Sequence, residues 1–321
     1  MKALVHRAGA RGDLQLEDCA MPQPAPRQVL LRVLACGVCR TDLHIIDEEL
    51  APKHETIVPG HQIVGELPET GERFGVSWLG GVDGTCPYCL RGEENLCDAP
   101  AFTGYDFDGG YAEYAAVRRD FLIPLPQSLA PVEAAPLLCA GVIGFRSLRI
   151  AGVQRGERVG LFGFGASAHL ALQLLRAWGC EVYVSTRGEK HRELARRLGA
   201  AWIGDARDRP PVPLDRAVTF APSGDVVLAA LASLRKGGIL AINAIHLDRM
   251  PQFDYDRLLW GERQIRSVAN MTRTDARDFM AAAAESGVRA NVQTYAFSRG
   301  ADALAALRAD AVEAAAVILP G

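Results

Sequence analysis

Cys86, Cys89 and Cys97, with Asp83 just ahead of them, form the densest group of metal donors in the chain. Thiolates and a carboxylate this close together, in a loop containing Gly84 and Gly92, suit a tetrahedral structural zinc. A loop of free thiols is the other reading, because replacing a thiolate with a carboxylate weakens a site for a soft metal. Cys39, His61 and Cys139 carry the same donor types but are scattered. Cys39 and His61 lie 22 residues apart, so spacing alone does not join them. A buried thiol and a hydrogen-bonded turn histidine account for them equally well. Cys139 sits in an apolar stretch and reads, by itself, as a core residue. Asp42 is suited to accept a hydrogen bond from a ligating histidine. Thr41 and His44 are one helical turn apart and share a face.

A different chemistry is written at Gly163-x-Gly165-x-x-Ala168, which follows the apolar run from Val159. The pattern predicts a strand, a tight turn and a helix, with glycines that let the backbone approach a pyrophosphate at the helix N-terminus. A helix start that merely needs small residues would use the same letters. The next strand ends at Ser185-Thr186-Arg187. A carboxylate there would hold a ribose hydroxyl of NAD, whereas a hydroxyl and a guanidinium suit the 2′-phosphate of NADP. A surface arginine opening a loop is the alternative.

The elements around these residues divide into two kinds. Short Val- and Leu-rich strands with Gly and Pro between them fill the first third, predicting a partly barrel-like β domain. An apolar helix is expected from Val132 through Cys139 to Ile150. From Gly156 strands alternate with helices, which predicts a doubly wound parallel sheet. The segment from Thr294 to Leu319 reads as strand, helix and strand returning to the first domain. The expected domains are 1–148, completed by 286–321, and 149–285. A chain of 321 residues is long enough for two cores. Its formal charge of -3 argues against nucleic acid or an anionic membrane as partner. No stretch has transmembrane length and none opens the chain as a secretory signal. Eight cysteines in a long chain read as metal ligands or thiols sooner than as a disulfide framework, so the cytoplasm is the expected compartment.

Taken jointly, Cys39-Arg-Thr-Asp-Leu-His44, Gly60-His61-Gln-Ile-Val-Gly65, Cys86-Pro-Tyr-Cys89 to Cys97, Asp108-Gly-Gly-Tyr-Ala-Glu-Tyr114 and Ser267-Val-Ala-Asn-Met-Thr-Arg273 resemble the zinc-dependent alcohol dehydrogenases of the medium-chain dehydrogenase/reductase family. The resemblance runs from about residue 3 to residue 319. It implies an α/β fold, with an N-terminal GroES-like, partly open β-barrel and a Rossmann domain. It puts the catalytic zinc on Cys39, His61 and Cys139, with Asp42 behind the histidine. A proton relay is implied from a zinc-bound alkoxide through Thr41 and the cofactor ribose to His44. Trp78 falls on a position lining the substrate pocket. Asp83, Cys86, Cys89 and Cys97 fall on the structural-zinc lobe, and Gly163, Gly165 and Ala168 on the nucleotide turn. The sequence departs from the family at Gln62, where a glutamate is usual, and at Asp83, where a cysteine is usual.

The implied reaction is reversible hydride transfer between a primary or simple secondary alcohol and NAD or NADP. Arg187 tilts the expectation toward NADP. A zinc-free NADPH-dependent enone or quinone reductase has the same fold but no need of Cys39, His61 and Cys139 together. A scaffold or redox-sensing protein has no need of Thr41 and His44. Homo-oligomers, dimers or tetramers, are usual in the family, and the expected partner is a small alcohol or aldehyde.

Overall fold

The computed structural model of the protein describes residues 1–320. The chain divides into two compact units. One comprises Met1–Cys139, Asn270–Ala281 and Arg289–Gly321; the other comprises Ala140–Ala269 and Ala282–Val288.

The first unit is built on the strand Gln28–Val38, which pairs with Gln62–Glu66, Tyr114–Arg118 and Ala315–Leu319. Its first residues alternate between buried and half-buried, as one covered face requires. Its last four, Ala35–Val38, are all buried. There Gln62–Val64 flanks the strand on one side and Ala316–Ile318 on the other. Arg73–Val76, Ile123–Pro124 and Val292–Ala296 complete this seven-stranded sheet. Separate small sheets join Lys2–Arg7 to Gln15–Asp18 and Thr56–Ile57, and Leu79–Gly81 to Ala101–Phe102. The core between them includes Leu31, Ile63, Tyr111 and Ile318, none more than 1% exposed.

The second unit is a six-stranded, wholly parallel sheet in the order Trp202–Gly204, Glu181–Ser185, Arg158–Phe162, Leu214–Thr219, Leu234–Ile242, Gln264–Ser267. The order reverses beside Arg158–Phe162, the topological switch point at which dinucleotides bind in this class of sheet. Continuous buried runs such as Val182–Ser185 fit strands covered on both faces.

Two expectations need correction. The apolar helix is not continuous: Pro131–Ala134 passes into a 3-10 turn, Ala135–Leu138, and a new helix spans Ala140–Ala151. Pro136 supplies no backbone N–H and disfavours helical geometry before it. Cys139 stands at the break with φ -128 and ψ -72. The expected boundaries also move. Helix Ala140–Ala151 falls in the second unit, where Gly144 packs so closely on the carbonyl of Ser167 that a Cβ would lie 3.0 Å from it. Residues 270–281 belong instead with the first unit, which Arg273 joins through Glu94.

Candidate metal centres and nucleotide turn

Strand Gln28–Val38 stops one residue before Cys39, and strand Gln62–Glu66 starts one residue after His61. The antiparallel register pairing Gly37 with Gln62 therefore brings both donors to the same end of these two paired strands. Two glycines permit this approach. A Cβ on Gly37 would lie 3.0 Å from the Gln62 side chain; Gly60, at φ +95, would put one 2.5 Å from the Tyr111 ring. Cys139 arrives from the helix break. Ser77, just past strand Arg73–Val76, donates its hydroxyl to the carbonyl of Leu138 at 2.5 Å and ties the break in place. Donor atoms of Cys39, His61 and Cys139 then all lie within 4.8 Å of one another.

Asp42 organises this cluster while being wholly buried. One oxygen is 3.1 Å from His61 Nδ1. The other accepts the Cys39 N–H at 2.8 Å and the Tyr111 hydroxyl at 2.8 Å. The carboxylate calls for the proton on Nδ1, which aims the bare Nε2 of His61 at the sulfurs. That Nε2 is buried and has no hydrogen-bond partner. Such an atom is costly unless something occupies the space before it. Two sulfurs and an imidazole nitrogen are soft and borderline donors, and they suit zinc with one position left for substrate oxygen. The electrostatics agree. A hydrogen bond from Cys139, outweighing burial and aided by His61, drives the Cys39 thiol well below its ordinary value. Burial opposes charge on His61, but the Asp42 carboxylate and Cys39 overcome it and raise the imidazole to about 10.

Thr41 Oγ1 is 3.6 Å from Cys39 Sγ. His44 follows on the same short helix, Arg40–Ile46. Trp78 stands edge-on to His61, with ring centroids 5.1 Å apart, and stacks on Phe102 at 4.7 Å. Tyr105 extends this aromatic wall at 6.2 Å from Trp78. Gln62 is 3% exposed and packs over Gly37.

The second cluster is also assembled. Single donor atoms of Asp83, Cys86, Cys89 and Cys97 lie within 4.8 Å of one another. The main-chain N–H groups of Cys86 and Thr85 hold the Asp83 carboxyl well below the usual range, at 2.9 and 2.7 Å. N–H groups also point at sulfur: Asp83 to Cys97 at 3.4 Å and Cys89 to Cys86 at 3.5 Å. The cysteine-to-aspartate change therefore keeps a fourth donor in place. The Asp83 set, like the first cluster, fits a zinc ion by donor type and number.

In the second unit Gly163 turns at φ +90, and a Cβ there would lie 2.9 Å from the Ala221 nitrogen. Gly165 caps helix Ala166–Ala177 without any side-chain hydrogen bond, and a Cβ on it would meet nothing within 4 Å. Ala168 is fully buried. This turn has the close backbone and open face that a pyrophosphate requires. Thr186 is buried at the end of its strand; Arg187 is exposed beside it.

Sequence reasoning missed Tyr111, Ser77 and Tyr105 as supports of the first cluster. Tyr111 lies inside the Asp108–Tyr114 motif, which was the available signal. Ser77 and Tyr105 carried none.

Parallel sheet order, glycine turn and thiolate–imidazole cluster together are those of a zinc-type dehydrogenase. Residues 25–127 match the family described as Alcohol dehydrogenase GroES-like domain, and residues 168–285 that described as Zinc-binding dehydrogenase. The chain belongs to the medium-chain, zinc-type alcohol dehydrogenases, NAD(P)-dependent oxidoreductases. It is 47% identical over 322 residues to a Mycobacterium tuberculosis protein named "Probable alcohol dehydrogenase AdhA", covering 96% of this chain and 93% of that one. An alcohol dehydrogenase of Geobacillus stearothermophilus is 33% identical over 87% of this chain and 88% of its own. The solved structure of the alcohol dehydrogenase from Aeropyrum pernix superposes with TM-score 0.84 at 28% identity, covering both chains fully. Among the described residues no single helix is long and apolar enough to cross a membrane.

Proposed function

We propose that the protein interconverts small to medium primary or simple secondary alcohols with the matching aldehydes or ketones, using Cys39, His61 and Cys139 to hold a catalytic zinc. The observation that carries this reading is the buried, partnerless Nε2 of His61 beside two sulfurs, with Nδ1 fixed by Asp42. When bound, zinc supplies a Lewis acid to the substrate oxygen and the nicotinamide accepts or returns hydride. Asp42 keeps His61 in the tautomer whose Nε2 can donate to the metal. Trp78, backed by Phe102, limits the width of the substrate beside His61. Thr41 holds the substrate hydroxyl and moves its proton, and His44 is the outer base that exchanges that proton with water. Asp83, Cys86, Cys89 and Cys97 hold a second, structural zinc in this reading.

Gly163, Gly165 and Ala168 carry the pyrophosphate of the cofactor. Thr186 and Arg187 favour NADP, with a hydroxyl and an exposed guanidinium where a carboxylate would select NAD. Arg192 supports that corner by donating to the Thr186 carbonyl at 3.1 Å. A homo-oligomer is supported by the edge position of strand Gln264–Ser267 and by the exposed Tyr255 and Trp260 shortly before it. Eight free cysteines support a reducing, cytoplasmic compartment.

The test counts zinc per chain after exhaustive dialysis and screens short alcohols and aldehydes with each nicotinamide. Cys39→Ser is expected to lose one zinc and nearly all turnover. Full zinc content and wild-type rates in that variant rule out the ligand set.

A further inference from the structure

The fold gives each carboxylate of Asp47-Glu48-Glu49 its own partner. Asp47 pairs with Arg308. Glu48, whose side chain is 10% exposed, takes the Gly9 N–H at 2.5 Å and faces Arg11 at 3.4 Å and His6 at 3.7 Å. Glu49 closes on Nδ1 of His44. The backbone builds this last contact. Glu48 has φ 55, a left-handed conformation that is uncommon for a long side chain. The chain thereby folds back, and the N–H groups of Glu49 and Leu50 both donate to the His44 carbonyl, at 2.9 and 3.1 Å. The anchored Glu48 sets the bend, and the bend delivers Glu49 to the imidazole.

We propose that Glu49 is a positioning residue for the dehydrogenase reaction, holding the Nδ1 proton of His44 so that Nε2 is the nitrogen that takes up the substrate's proton. This rests on the reading of His44 as the outer base. A carboxylate on one ring nitrogen selects the tautomer and orients the ring. In alcohol oxidation the proton reaching Nε2 leaves the ring holding two protons beside the Glu49 carboxylate. One proton then leaves for water, since the two side chains are 26% and 58% exposed. The neutral ring is restored. In aldehyde reduction the proton runs the other way.

Four zinc-loaded enzymes decide it: wild type, Glu49→Ala, His44→Gln and the double variant. Two readouts are used, histidine side-chain 15N NMR on the holoenzyme and kcat for alcohol oxidation with and without added imidazole. The expected spectrum places the His44 proton on Nδ1 in the wild type and moves it to Nε2 in Glu49→Ala. Glu49→Ala should lose about 3–10-fold in kcat, the low end for removal of a supporting partner, and recover with imidazole. The double variant should be no slower than His44→Gln. An unchanged tautomer, a wild-type rate for Glu49→Ala beside a slow His44→Gln, or losses that multiply in the double variant each overturn the role of Glu49. A wild-type rate for His44→Gln instead overturns the outer-base reading itself.

Discussion

Arg273 grips Glu94 with both its main chain and its side chain. Its N–H lies 2.7 Å from one carboxylate oxygen, and its guanidinium reaches both oxygens at 2.5 to 3.0 Å. Phe121 backs the guanidinium at 4.6 Å. Glu94 sits between Cys89 and Cys97, so the pair fastens the second metal cluster to the start of helix Arg273–Ser286.

This pair predicts acid sensitivity. Burial opposes charge on Glu94, but the Arg273 hydrogen bonds overcome it and hold the carboxyl below its ordinary value. A depressed carboxyl contributes stability that is complete above about pH 4.3 and is lost as pH falls through the lower folded value. Glu94→Gln should lower stability near neutral pH by about 1–3 kcal/mol, because Arg273 keeps a partly buried charge without its partner. Its melting temperature should also fall less than wild type's on acidification. Parallel acid limbs in differential scanning fluorimetry contradict this.

Asp42→Asn should weaken binding at the first cluster by about 10–100-fold. An amide cannot accept from His61, Cys39 and Tyr111 with the same pair of oxygens. Chelator competition measures this loss directly; an unaltered affinity means that Asp42 does not hold the His61 tautomer.

Cys97→Ser removes a donor from the second cluster alone. One zinc per chain should be lost while the other stays, and the melting temperature should fall. Loss of both ions, or of neither, contradicts two independent sites.

Arg187→Ala should raise KM for NADPH by about 10–100-fold, the worth of a charge-assisted contact to phosphate. NADH kinetics should stay nearly level. Equal losses with the two cofactors remove Arg187 from the 2′-phosphate.

The parallel sheet was legible because each of its strands and helices is local and bounded by its own turn, as at Gly163 and Gly165. Donor types were legible at Asp83–Cys97 because four candidate donors fall in one loop. The first cluster was not legible from spacing, because its assembly depends on a strand register, Gly37 against Gln62, that no local pattern encodes. Cys139 was obscured for another reason: apolar periodicity runs through the break, and only Pro136 marks it. Pairings such as Tyr111 with Asp42, or Glu94 with Arg273, join residues far apart in the chain and leave no trace in either neighbourhood.

The strand Ala315–Leu319 makes the first cluster depend on sequence far from it. It pairs with Cys36–Val38, immediately before Cys39. Losing that pairing would leave Cys36 and Gly37 flanked on one side alone, by Gln62 and Ile63. A change hundreds of residues from Cys39 can therefore loosen the backbone that presents its sulfur.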